Sequence, residues 1–303
     1  MTHPPHNSDI ARVRAALRAI PDLNLAGVDL AGLDLAPITP LSGTSNLTFK
    51  VALDGGPLVV RLAQNGIGSY ANRWDELAAC RLAMRLGIGP ALRYAEPEGG
   101  ILVFDHVDAA PAPGFDNAGA GLSFLQRMGA ALGSLHRCGE TLPGRFDVVA
   151  LIEKYTAALA MQGPAAAPQR PRTVVAALAT AQDRLARLHR PLAPCHNDPV
   201  PENFLDLGDQ AMLVDWEYAG MNDPAFDLAY LSLEAGLDAA AEQALLEAHG
   251  DAALHAPVVP LYKFLACAMG GLWARLHPPD SAWRAWGRER DSQAAALARS
   301  LFS

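Results

Sequence analysis

An Ala-rich amphipathic stretch over residues 8–20 predicts a leading helix, followed by a segment marked by Pro37 and Pro40. The period then changes. Between 47 and 62 the β-rich runs LTFKVAL and LVVRLA are joined by the turn residues DGGP, the pattern of a hairpin. Residues 72–87, NRWDELAACRLAMRLG, are helix formers stopped by Gly87, and the strand-like runs ALRYAE and ILVFDHV flank PEGG. These segments predict a small sheet with one helix against it. After Val107 the chain turns to DAAPAPGFDNAGAG, where proline and glycine mark a connection rather than an element. Helical spacing resumes over 122–137, 150–162 and 173–189, interrupted by GPAAAPQRP at 163–171. Within this second part NFLDL and AMLVDW, separated by GDQ, read as another short hairpin. The expectation is an α+β chain in two lobes: residues 1–107 with the sheet, a hinge about 104–108, and a mainly helical 108–303.

Composition narrows the function classes. At 303 residues and 50% hydrophobic, the chain can bury a substantial core. With 24 Lys+Arg against 32 Asp+Glu, a net charge of -8 offers no general attraction for nucleic acid or an anionic membrane. Cys80, Cys138, Cys195 and Cys267 lie far apart with no CxxC pair, so neither a zinc knuckle nor a disulfide framework is suggested. The start, MTHPPHNSDIARVRAAL, lacks the basic stretch and apolar core of a secretory signal. The apolar run FLACAMGGLWA at 264–274 is bounded by Lys263 and Arg275 and is too short to cross a bilayer. The expected location is the cytoplasm.

Chemistry concentrates in two loops, HNDPVPENF at 196–204 and DWEYAGMNDPAFD at 215–227. Phosphoryl transfer asks for a charge-compensating metal, donors around the phosphates and a group that takes the hydroxyl proton. Residues 196–203 read HxDxxxxN, a spacing that can set Asp198 and Asn203 at opposite ends of one tight loop. The carboxylate would face an acceptor hydroxyl, and the carboxamide oxygen would face Mg²⁺, a hard ion that prefers oxygen ligands. Asp215, arriving from the apolar run Met212, Leu213, Val214, would be the second metal ligand.

The two loops resemble the catalytic and metal-binding loops of the choline kinase branch of the aminoglycoside phosphotransferase-like kinases, and the likeness extends over most of the chain. It implies a bilobal protein kinase-like fold, ATP as phosphate donor with GTP as an alternative, and Mg²⁺. LSGTSNLTFKV resembles the phosphate-covering loop, which implies nucleotide contacts for Ser42, Gly43, Thr44, Ser45 and Asn46. Arg61 would reach the phosphates, braced by Glu76, and Phe104 and His106 lie in the segment that presents backbone groups to adenine. On the acceptor side the resemblance implies Glu234 as the carboxylate facing a substrate cation, with Glu217, Tyr230 and Trp273 nearby. The chain departs from the branch at Tyr230 and Ala235, and at Gly270, which stands where a second tryptophan would box an ammonium group. Trp283, Trp286 or Tyr230 are the aromatic residues available to compensate. Choline comes first among acceptors, then ethanolamine or another amino alcohol, with a thiamine-like or aminoglycoside-like molecule as alternatives. A nucleotide-binding regulator without turnover is the alternative of another class. His196 and Asp227 read as structural, and Glu217 as weighted toward function.

Overall fold

The computed structural model describes residues 7–20, 36–41, 46–63, 72–110, 119–162, 172–278 and 281–302. Helix α1, Asn7–Arg18, packs Val13 and Leu17 against a five-stranded antiparallel sheet. The strands are β1 Ile38–Pro40, β2 Asn46–Val51, β3 Leu58–Ala63, β4 Leu92–Glu96 and β5 Ile101–Asp105, in the order β1-β2-β3-β5-β4. The segment around Pro37 and Pro40 thus supplies an edge strand that the sequence pattern did not announce, and the edge is where proline is tolerated. The predicted hairpin forms with Thr48 opposite Arg61, and the central position of β3 sets Arg61 between β2 and β5.

Helix α2, Arg73–Arg85, starts where the Asn72 side chain accepts the Trp74 N–H at 3.0 Å. It stops at Gly87, whose φ of 70° is the left-handed conformation that glycine adopts without strain. Its inner face buries Leu77, Cys80 and Ala83 together with one carboxylate, Glu76.

The rest is mainly helical: α3 Gly119–His136, α4 Val148–Met161, α5 Arg172–Leu188, α6 Pro224–Glu234, α7 Ala239–His249, α8 Ala252–His255, α9 Val259–Leu276 and α10 Ala282–Phe302. Two short antiparallel pairs interrupt it, β6 Ala193–Cys195 with β9 Gly220–Asn222, and β7 Phe204–Asp206 with β8 Ala211–Leu213. The second is the hairpin read from the sequence. The first was not foreseen, nor was the opening of α6 inside the second motif, where Asp223 caps the helix by accepting the Ala225 N–H at 3.0 Å. Helix α9 is buried on most sides, and its sequence is apolar apart from Lys263 and Arg275. Among the described residues no helix is long and apolar enough to cross a membrane.

A buried histidine cluster ties α3 to α7 and α8. His136 Nδ1 lies 2.9 Å from His249 Nε2, the His249 and His255 rings meet edge to face, and Arg190 Nη2 donates to His255 Nδ1 at 2.9 Å. Burial first, and cationic neighbours second, pull His249 down to about 3 and His255 to about 4. An unfolded chain protonates these rings as pH falls through about 6.5, whereas the folded chain resists until far lower. The stability carried by the neutral rings is therefore complete above that pH and is lost as pH drops toward about 4. Urea denaturation at pH 5 should show a loss of about 2 kcal/mol per ring relative to pH 7, and His249→Gln should remove roughly half of that loss. Equal stability at the two pH values would contradict the account.

Candidate active site

The β6–β9 pair, with Cys195 opposite Gly220, delivers His196, Asn197 and Asp198 directly beyond a strand end. The β7–β8 pair, with Phe204 opposite Leu213, brings Asn203 and Asp215 to the same rim. Asn197 and Asp215 both hold left-handed backbone, φ 66° and 64°, which Asn and Asp accept more readily than other non-glycine residues. Asn197 is locked there: its Nδ2 donates to Tyr218 O at 2.9 Å and its Oδ1 accepts Asn222 Nδ2 at 2.9 Å.

Beneath both loops sits Asp227 in the first turn of α6, with no solvent exposure. Its carboxylate accepts the backbone N–H of His196 and of Asn197, each at 2.8 Å, and lies 3.0 Å from His136 Nε2. Burial lowers the His196 pKa, so its ring is neutral and Nε2–H donates to Val214 O at 2.9 Å, stitching the first loop to the second.

Asn203 Nδ2 donates to the Asp198 carbonyl at 2.9 Å, which fixes the carboxamide within the loop. Asp198 is half-buried, and burial raises its pKa with further pushes from Asp215, Glu217 and Glu234. Glu217 is also raised, by burial and then Asp215, against the pull of Arg61. Carboxylates that repel one another beside a positioned carboxamide are oxygen donors of the kind a hard divalent cation takes. Asn46 adds a buried Oδ1 with no hydrogen-bond partner among the described residues. The chemistry of this donor set fits a hard divalent cation such as Mg²⁺.

The sheet reaches into this cluster through Arg61. Its guanidinium bonds Glu76, lies 2.9 Å from Asp215 Oδ1 and 3.6 Å from Glu217 Oε2. Burial pulls Arg61 down, but Asp215, Glu76 and Glu217 more than offset it and the net direction is up. Arg73, which the sequence reading passed over, donates to the other Glu76 oxygen at 3.0 Å. Its signal was available as an i,i+3 pair at the start of α2. Asn46 Nδ2 lies 3.3 Å from Glu217 Oε2. Phe104 lies in β5 opposite Val59 of β3, and His106 follows the end of that strand, where its N–H donates to Pro57 O at 3.0 Å. Ser42, Gly43, Thr44 and Ser45 lie outside the described residues.

Tyr230 and Glu234 follow Asp227 along one face of α6. Glu234 is already paired: Arg290 Nη2 donates to its Oε2 at 2.7 Å. Trp273 on α9 does not stand alone, since the rings of Trp283 and Trp286 on α10 lie 5.0 and 5.9 Å from it, nearly perpendicular. Arg290 went unread in the sequence, although it lies one helical turn beyond Trp286 and its guanidinium covers that ring at 4.9 Å.

Comparison with known proteins agrees with this arrangement. Residues 37–266 match the phosphotransferase enzyme family. A choline/ethanolamine kinase family protein from Mesorhizobium loti is 31% identical, with 95% of this chain and 94% of that chain covered and a TM-score of 0.77. A structure of LicA in complex with AMP is 25% identical, covering 88% of this chain and 92% of that one, with a TM-score of 0.74. Protein LicA of Haemophilus influenzae is 52% identical over 58 residues, 19% of this chain and 22% of that protein, so the shared stretch spans about a fifth of the curated relative.

Asp227→Ala would leave two loop amides and His136 without their acceptor in a site with no exposure. Urea denaturation should show a loss of about 3–5 kcal/mol. A loss well under 1 kcal/mol would mean that the loops hold their own shape.

Proposed function

The chain belongs to the phosphotransferase enzyme family, in its choline/ethanolamine kinase branch, and from that premise we propose that it moves the terminal phosphoryl group of ATP to the hydroxyl of a small amino alcohol, choline or ethanolamine. The observation that carries this reading is the convergence of Asp198, Asn203 and Asp215 on one rim, with the Asn203 amide anchored on the Asp198 carbonyl at 2.9 Å. In this reading Asp198 takes the proton of the attacking hydroxyl and holds that hydroxyl in line. Asn203 and Asp215 hold Mg²⁺, which when bound offsets charge on the phosphate oxygens. Arg61 keeps its brace on Glu76 and turns its second nitrogen, now on Asp215, toward the phosphates. Asn46, and in the same reading Ser42, Gly43, Thr44 and Ser45, contact the nucleotide phosphates, and residues 104–108 meet its base. The LicA structure holding AMP supports an adenine nucleotide as donor.

Glu234, Tyr230, Glu217 and Trp273 belong to the acceptor side in this reading. Tyr230 is buried, and its pKa is raised by burial and by the nearby Asp198 and Glu234, which places its phenol within electrostatic reach of both carboxylates. The protein would work in the cytoplasm, where ATP and amino alcohols meet, with the nucleotide lobe within 1–107 and the catalytic and acceptor lobe within 108–303.

Mg²⁺-dependent ADP release, measured with choline, ethanolamine, other amino alcohols, thiamine and a kanamycin-type sugar, tests the reading directly. Asp198→Ala should lower kcat by roughly 10²- to 10⁴-fold while ATP affinity stays nearly constant. Loss of nucleotide binding in that variant would refute the assignment of Asp198 as base. Glu234→Gln should raise the acceptor KM about tenfold or more and leave the KM for ATP in place. Equal changes in the two constants would remove Glu234 from the acceptor site.

A further inference from the structure

The acceptor end of the site carries an inference that rests on the reading above and narrows it. Asp227, Tyr230 and Glu234 stand at i, i+3 and i+7 on α6, so the stripe that anchors the catalytic loop at one end presents Glu234 two turns along. The two oxygens of Glu234 have different surroundings. Oε2 accepts from Arg290 Nη2 at 2.7 Å, whereas Oε1 is buried with no hydrogen-bond partner among the described residues. The Trp286 indole lies close enough to help hold the carboxylate's charge, yet it does not complete a bond to Oε1.

Arg290 is engaged through both of its terminal nitrogens. Its Nη1 donates to Gln293 Oε1 at 2.7 Å, and its guanidinium carbon lies 4.9 Å from the centre of the Trp286 ring. One face of Trp286 therefore already holds a cation belonging to the protein. Gly270 makes room for that arrangement, because a Cβ at 270 would lie 2.8 Å from Trp286 Cη2. The position that lacks a tryptophan on α9 is the one through which a tryptophan of α10 enters.

We propose that this pocket selects an amino alcohol whose nitrogen carries at least one N–H over its quaternary ammonium analogue, with Glu234 Oε1 accepting that N–H and Arg290 setting the preference. A desolvated carboxylate oxygen without a donor is costly, and an ammonium N–H removes the cost through a charge-assisted bond. A quaternary ammonium has no proton to donate and leaves Oε1 bare. Its usual compensation is an aromatic face, and Arg290 has taken the one that Trp286 offers. A site built to accept a hydrogen bond rejects the analogue lacking the donor far more strongly than an apolar pocket rejects an extra methyl group.

The test is steady-state kinetics of the wild-type protein with ethanolamine, N-methylethanolamine, N,N-dimethylethanolamine and choline at saturating Mg²⁺ and ATP. The first three each keep an N–H on the protonated nitrogen and should differ by a few-fold. The last methylation, which removes that N–H, should lower kcat/KM by on the order of 10- to 100-fold, with the loss in the acceptor KM. In Arg290→Met, or Arg290→Lys where the first does not fold, the deficit of choline against N,N-dimethylethanolamine should shrink. Choline turned over as efficiently as N,N-dimethylethanolamine overturns the inference and leaves phosphoryl transfer standing. An unchanged choline deficit in a folded Arg290 variant overturns the part assigned to Arg290. No turnover with any of the four acceptors overturns the amino alcohol reading and this inference with it.

Discussion

A single buried carboxylate, Asp227, sets the position of nearly everything that matters here. Taking a charge out of water is tolerable only when every lone pair finds a donor, and Asp227 finds its donors in the backbone of the catalytic loop and in His136. The requirement works in both directions: the carboxylate is stabilised by the loop amides, and the loop is held in a left-handed turn at Asn197 by the carboxylate. From this fixed point His196 reaches Val214 and Asn197 reaches Tyr218 and Asn222, so the second loop inherits its position from the first.

The remaining charges are arranged to be shared. Arg61 bridges from the sheet to Asp215 and Glu217 while Glu76, backed by Arg73, keeps the guanidinium from following either one. A buried guanidinium surrounded by three carboxylates retains its proton and its direction. Between α6 and α10 the same logic recurs with Arg290, Glu234 and Trp286, where an internal cation occupies half of a carboxylate and one aromatic face.

Local pattern made much of this legible. The hairpin at 46–63, helix α2 with its glycine stop and the hairpin carrying Asn203 and Asp215 all follow from period and turn chemistry, and the Asp198, Asn203 and Asp215 set follows from residue types at a demanding spacing. The β6–β9 pair escaped notice because three-residue strands carry too little period to register, and β1 because its proline argues against a strand unless an edge is known to be there. Helix α6 begins inside a motif that reads as loop, since its Asn-Asp-Pro opening is also the chemistry of a turn.

What the sequence by itself determined is therefore the local elements and the polar residue types they carry to the loops, because both depend on neighbours within a few residues. Apart from the Arg61–Glu76 brace that the resemblance implied and the i,i+3 pair of Arg73 with Glu76, tertiary structure decided which charges meet. Arg61 and Asp215 are 154 positions apart, His136 and Asp227 are 91, and Arg290 and Glu234 are 56. No periodicity reports such pairings, because they arise when separate helices and strands bury their apolar faces and the polar groups left inside must find partners among whatever the packing has brought near.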